Sequence, residues 1–369
     1  MARPRVTDAT VFRVLCKILG GQDTAALTSG IAAGLLPQLI AMARAQDLLP
    51  ALAVRCDEQA LESAGLGAEN AGLLKQALLD NTRRNMEIIA QAIRITRRLN
   101  QAGITPLFLK GTARLLSAGN NHLGFRKQSD IDLLVKPEEL AAAGDVFLAD
   151  GYCYCRYPAG PTGAPQTLAD TAAAIRLSAS HHHLPPLAKA GYATTVELHR
   201  HFLDRPFQRA NPLPPLFGSA TDLHIHGASF MVPSAEYQLI HLVLGTLVTD
   251  GAFDRRTFPI RGGCDLIEIA QGMTGTHSDW ALVQERCGRY FPLFLSLVMA
   301  LMDYSPRAPT PSSDGVPAYL WLMQQRFDHP VARRLLDGYA RAGYLARALR
   351  HSPAKLPAYL RGKLAPARV

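Results

Sequence analysis

Residues 130–135 read Asp-Ile-Asp-Leu-Leu-Val, an apolar, β-prone tract carrying two carboxylates two positions apart. Side chains alternate along a strand, so residues i and i+2 share a face. Asp130 and Asp132 therefore point one way and Ile131 the other. Two carboxylates crowded on one face repel each other and resist burial without a cation. A hard divalent ion, which prefers oxygen ligands, relieves that repulsion most simply. A polar edge strand with two solvated aspartates is the plain alternative for an isolated D-x-D, so the flanking sequence has to decide.

Before this tract, residues 8–100 carry helical spacing. Leu35, Leu39, Ile40 and Ala43 recur on one face, and Met86, Ile89, Ile93 and Leu99 predict a second helix over about 83–100. Asn100-Gln-Ala-Gly103 ends it. Residues 104–109 form a short buried-strand candidate, Lys110-Gly-Thr112 a turn, 112–118 a short helix and 118–122 a loop. After the aspartates, Pro137-Glu-Glu-Leu140 opens a helix that closes at Asp150-Gly151. Residues 152–157, 181–184 and 194–202 read as strands, and the Pro-, Gly- and Thr-rich 158–172 as a loop. Helical spacing returns over 235–250, 263–273 and 280–303, before a Pro- and Ser-rich linker at 306–317. The expected fold is α+β, a small mixed sheet flanked by N-terminal helices and a C-terminal helical domain. The expected division is an N-terminal helical region (1–100), a catalytic core (101–210), a C-terminal helical domain (211–305) and a linker with a basic helical tail (306–369).

With 369 residues, 48% hydrophobic and 19% charged, the chain is long enough for two or three domains with buried cores. No stretch reads as a transmembrane span, and Met-Ala-Arg-Pro-Arg is not followed by a signal-peptide core, so the expected location is cytoplasmic. Six scattered cysteines without a C-x-x-C pair argue against a disulfide framework or zinc knuckle. Charge is uneven. Residues 331–369 hold nine Lys or Arg and one acid, Asp337, and so carry +8 of the net +9. This segment reads as a solvated Arg-rich helical tail, with nucleic acid, an acidic peptide or a membrane surface as alternative partners.

The aspartates have company. Leu109-Lys-Gly-Thr112 runs a strand into a Gly turn and a helix start, where backbone amides and the helix dipole favour an anion. Thr112 adds a hydroxyl and Lys110 a point charge. Downstream, Val196-Glu-Leu-His199 places a third carboxylate, Glu197, on another strand. Three acids and a phosphate-cradling turn form a kit that holds two Mg²⁺ ions on a triphosphate and activates an attacking hydroxyl.

Together these motifs resemble the DNA polymerase beta-like nucleotidyltransferase superfamily. More narrowly they resemble its poorly characterised bacterial branch, often found with natural-product, lasso-peptide and polysaccharide gene clusters. Gly103-Ile-Thr-Pro-Leu-Phe-Leu-Lys-Gly111, Arg126 with Asp130–Val135, Asp150-Gly-Tyr152, Val196–His199 and the helical pair 37–52 carry the likeness, over roughly residues 30–270. The resemblance implies that Asp130 and Asp132 ligate Mg²⁺ or Mn²⁺. It implies that Glu197 completes the site and helps deprotonate the acceptor. Gly111 and Thr112 would then contact the triphosphate of an NTP such as ATP, while Lys110 and Arg126 balance its charge. It also implies a helical cap facing the cleft, with Glu236 and His241 on one helix. There Arg261 clamps a phosphate and Asp265 orients it, although a structural Arg–Asp pair fits the spacing equally. The chain departs from the pattern in having Gly-Thr rather than Gly-Ser or Gly-Gly at the turn, and in a longer gap from Gly111 to Asp130.

Glu197, His199 and His201 share a strand face, as do His181 and His183. His199 is the candidate to support Glu197. A zinc or other transition-metal site and a merely polar strand face are the alternatives. The function expected is transfer of NMP from an NTP to a hydroxyl on a peptide, a small molecule or RNA, with release of pyrophosphate. Another transferase with a nucleotide-activated donor (phospho- or glycosyl-) and a non-catalytic nucleotide- or peptide-binding protein remain open.

Overall fold

The computed structural model describes residues 7–21, 34–56, 68–117, 123–156, 165–169, 171–172, 175, 178, 181–273, 277–304 and 315–351. The expected loop at 118–122, most of the loop and linker expected at 158–172 and 306–317, and the tail from 352 onward lie outside them. The chain packs into two units. One comprises Met1–Ile89, Arg114–Gln128 and Ser234–Leu336, the other Ala90–Ala113, Ser129–Pro233 and Asp337–Val369.

The second unit is built on a mixed sheet. Its strands are β1 (Leu107–Phe108), β2 (Asp130–Leu134), β3 (Cys153–Arg156), β4 (Gln166–Thr167), β5 (Leu187–Ala188), β6 (Thr195–His199), β7 (Thr221–Ile225) and β8 (Ala228–Val232), in the order β4-β3-β5-β6-β2-β1-β8-β7. The central pair, β2 and β6, is parallel, whereas β1 runs antiparallel to β2 and parallel to β8. Leu107, Phe108, Ile131, Leu133, Leu134, Val196 and Leu198 are fully buried, as near-continuous apolar runs demand in a sheet covered on both faces. Phe108 meets Phe230 edge to face at 5.4 Å. Asn100 pins this sheet to the end of the preceding helix. Its Nδ2 donates to the Ile104 and Ser229 carbonyls, and its Oδ1 accepts from the Ser229 N–H. Gln91 likewise donates to the Tyr152 hydroxyl and the Thr194 carbonyl.

The first unit is helical. The helix Asp8–Gly20 starts at Thr7, whose hydroxyl accepts from the Thr10 N–H, and ends at Gly21 in the left-handed region with φ 77°. Val11, Phe12, Leu15, Ile18 and Leu19 form its buried face, packed on the helices Leu36–Ala45, Ile260–Gln271 and Tyr290–Met302. Gly20 sits so close to Met302 that any Cβ there would strike the Met302 carbonyl. Only glycine permits that approach.

Most elements fall where the spacing places them. The helix expected from about 83 begins earlier and spans Ala68–Gln101. Residues 181–184 contribute one bridge, His183 to His199, rather than a full strand. The hairpin β7–β8 was not anticipated.

Candidate active site

β2 and β6 set the site. Their parallel register pairs Asp130 with Thr195, Asp132 with Glu197, and Leu134 with His199. Neighbours in register on one face have adjacent side chains. The alternation that puts Asp130 and Asp132 together therefore also brings Glu197 and His199 to them, while Ile131 is buried on the opposite side. Asp132 is 1% exposed and His199 fully buried. Asp132 Oδ1 accepts from Lys110 Nζ at 2.7 Å and pairs with His199 Nε2 at 2.9 Å. His199 Nε2 also lies 3.6 Å from Glu197 Oε2, and His183 Nε2 lies 3.9 Å from the same oxygen.

The electrostatics follow from burial and these partners. Burial alone would raise the Asp132 carboxyl, but the Lys110 ammonium and the His199 imidazole hold it far below the usual carboxylate range. Burial likewise opposes ionisation of Glu197, and His199 reverses the balance. The same contacts work on the bases. Against burial, Asp132, Glu197 and Asp130 strengthen protonation of Lys110, and hydrogen bonds to Asp132 and Glu197 favour the imidazolium of His199. Asp130 differs. It accepts from Ser129 Oγ at 2.9 Å, yet burial and the neighbouring Asp132 push its carboxyl up. Three carboxylates face one ammonium and one imidazole, so negative charge is left over whichever way His199 is protonated, and Asp130 stands at the end away from Lys110 and His199.

That surplus favours a bound cation. Asp132, Glu197 and His199 each offer a donor atom, all within 4.8 Å of one another. Carboxylate oxygens with one imidazole can take a divalent metal ion, provided the His199 nitrogen that faces it carries no proton; Asp130, on the same strand face, is not part of this set.

The phosphate turn differs from the sequence expectation. The left-handed residue is Lys110, with φ 50°, rather than Gly111. The helix Lys110–Ser117 starts at once, so Gly111 and Thr112 lie in its first turn, where amides lack intrahelical acceptors. Thr112 is buried, and its hydroxyl donates to the Asp130 carbonyl at 3.4 Å. A left-handed backbone costs a residue with a Cβ about 1–2 kcal/mol. Lys110→Gly and Lys110→Ala both remove the ammonium, but only glycine relieves that backbone. Thermal denaturation is expected to rank the glycine variant above the alanine variant by about 1 kcal/mol. Equal stability of the two would mean that the left-handed conformation is not held.

The histidines gather around Glu197 and His199. His182 Nδ1 is tied to Asp204 Oδ1 at 2.6 Å, and His183 Nδ1 to the Leu184 carbonyl at 2.6 Å. Burial lowers both, His183 to about 4. His201 lies past the end of β6, where its Nδ1 accepts from the Leu203 N–H.

The remaining candidates belong to the helical unit. Arg126 Nε donates to Asp265 Oδ1 at 2.9 Å, and Arg114 Nη2 pairs with Asp265 Oδ2 at 2.8 Å. Arg126 also bonds Gln128. Burial opposes ionisation of Asp265, and the two guanidiniums overcome it. Arg261 is exposed and adds its charge to this cluster. His241 is buried on the helix Ala235–Leu244. Arg114, which completes the cluster, escaped the sequence reading because it belongs to no motif.

No curated protein matches the chain. The sequence pattern of a family described as uncharacterised nucleotidyltransferase matches residues 36–301. That span covers well over half of the chain, which therefore belongs to this nucleotidyltransferase family.

Proposed function

We propose that the chain transfers a nucleoside monophosphate from an NTP to an acceptor hydroxyl, with Asp130, Asp132 and Glu197 holding Mg²⁺ or Mn²⁺. The observation that carries this reading is the in-register placement of Asp132 beside Glu197, with Asp130 on the same face. A divalent cation bound there would neutralise phosphate charge and make the acceptor hydroxyl easier to deprotonate. The amides of Gly111 and Thr112, in the first turn of their helix, favour a phosphate, and Lys110 adds a positive charge beside it. Glu197 takes up the hydroxyl proton. The acceptor oxygen bonds to the α-phosphorus as the bond to the β-phosphate oxygen breaks, and pyrophosphate leaves with that electron pair. His199, bonded to Asp132, fixes the orientation of that carboxylate. A peptide or small-molecule hydroxyl is the favoured acceptor.

The test is incubation with each NTP, Mg²⁺ or Mn²⁺ and candidate acceptors, following pyrophosphate release and acceptor mass. A mass gain of one nucleoside monophosphate supports the reading. A gain of one phosphate or one sugar replaces it with another transferase chemistry, and nucleotide binding without turnover replaces it with a binding protein.

A further inference from the structure

The helix Pro330–His351 carries most of what the rest of the molecule leaves unexplained. Val331, Leu335 and Tyr339 are 66%, 70% and 64% exposed. They recur every four residues. At 3.6 residues per turn that spacing draws one stripe along the helix, drifting by about 40° per step. Ala342 and Ala346, also exposed, fall inside the same arc. Exposed Arg334 and Arg341 lie along one edge of it. The opposite side is the packed one. Ala340 is buried, and Leu336 and Asp337 are half-buried. A helix that merely capped the fold would turn its large apolar residues inward. This one keeps a second apolar face outward, within the segment that holds nine Lys or Arg against one acid.

We propose that this helix is a docking element for an anionic lipid bilayer surface, lying in the interface with Val331, Leu335 and Tyr339 inserted. Charge and apolar face select this partner together. A basic helix with an apolar stripe suits the interface, where the rim cations meet anionic headgroups and the stripe enters the acyl boundary. A second copy of the chain would set Arg334 and Arg341 against their own kind. A nucleic acid would answer the charge and leave the stripe in water. No helix among the described residues is long and apolar enough to cross a membrane, so the contact is peripheral. Each basic residue close to an anionic surface strengthens such binding roughly fivefold.

The test is flotation of the full-length protein with vesicles of 30% phosphatidylglycerol in phosphatidylcholine, and with pure phosphatidylcholine. The expected result is binding to the anionic vesicles, at least tenfold weaker on neutral ones and weakened by 0.5 M NaCl. The double variant Val331→Glu/Leu335→Glu should lose at least tenfold in binding while keeping its melting temperature, since both side chains are exposed. Leu335→Trp should keep binding, with its emission shifted to the blue on vesicles. Three results would each overturn the proposal. They are no flotation with anionic vesicles, unchanged flotation of the glutamate variant, and a stripe-dependent complex that forms instead with RNA or a second copy.

Discussion

Asp132→Asn is expected to lower NMP transfer by roughly a thousandfold, the scale of losing a preorganised electrostatic group in a buried site. Asp132 is the hub of the cluster. It is 1% exposed and bonds both Lys110 and His199. Asparagine keeps the shape and removes the charge, leaving the half-buried Lys110 ammonium and the buried His199 imidazole facing Asp130 and Glu197 alone. Mn²⁺ affinity, read by electron paramagnetic resonance, should fall with the activity. Asp130→Asn makes the informative comparison, because Asp130 lies at the end away from Lys110 and His199. It should also cut transfer, with less disturbance of Lys110 and His199. Full turnover by the double variant would remove the β2 carboxylates from the chemistry. Normal Mn²⁺ binding with lost turnover would leave the cation site standing and shift the role of Asp132 to substrate.

Asp265→Ala should be the most destabilising single change in the helical unit, by about 3–5 kcal/mol. Truncating Asp265 leaves two largely buried guanidiniums with only the Gln128 side chain against Arg126 and a Glu268 carboxylate 3.9 Å from Arg114. Asp265 is 3% exposed and pairs with Arg114 and Arg126. Replacement by asparagine should cost less, since it still offers an acceptor oxygen. The cluster also sets a pH dependence. The arginines depress the folded-state pKa of Asp265. Its stabilisation is thus fully present above the ordinary aspartate value of about 4 and is lost as pH falls from there through the depressed folded value. Urea melts of wild type and Asp265→Asn between pH 7 and pH 3 should converge at the acid end. Parallel curves would assign the stability of this cluster to packing instead of charge.

The site was legible to the extent that it obeys strand alternation. Asp130, Asp132, Glu197 and His199 sit in β-prone tracts at i, i+2 spacing, and period two alone assigns their faces. What the spacing cannot give is register, which decides that Asp132 rather than Asp130 stands beside Glu197. The left-handed Lys110 was hidden by its neighbour, because Gly111 is the residue that physics nominates for positive φ. The β7–β8 hairpin had a readable signal. His226-Gly227 is a two-residue loop with both φ positive, 48° and 73°, and X-Gly between β-prone runs marks such turns. Asp222 and His224, polar in mid-strand, masked it. The Arg114–Arg126–Asp265 cluster joins segments 139 residues apart, and no local pattern reports a contact of that range.

The parallel pairing of β2 with β6 bears on how the site comes into being. Parallel neighbours need a long crossover, and Asp132 and His199 stand 67 residues apart in sequence. Loop closure of that length is costly before any contact repays it. By that measure the carboxylates are expected to meet after closer pairings such as β1–β2 and β7–β8 have formed, and before β1 meets β8, whose partners lie still further apart in sequence. A cation bound there would stabilise only states in which the two strands are already paired, and slower unfolding of the metal-loaded protein is the expected sign that this pairing is absent from the transition state.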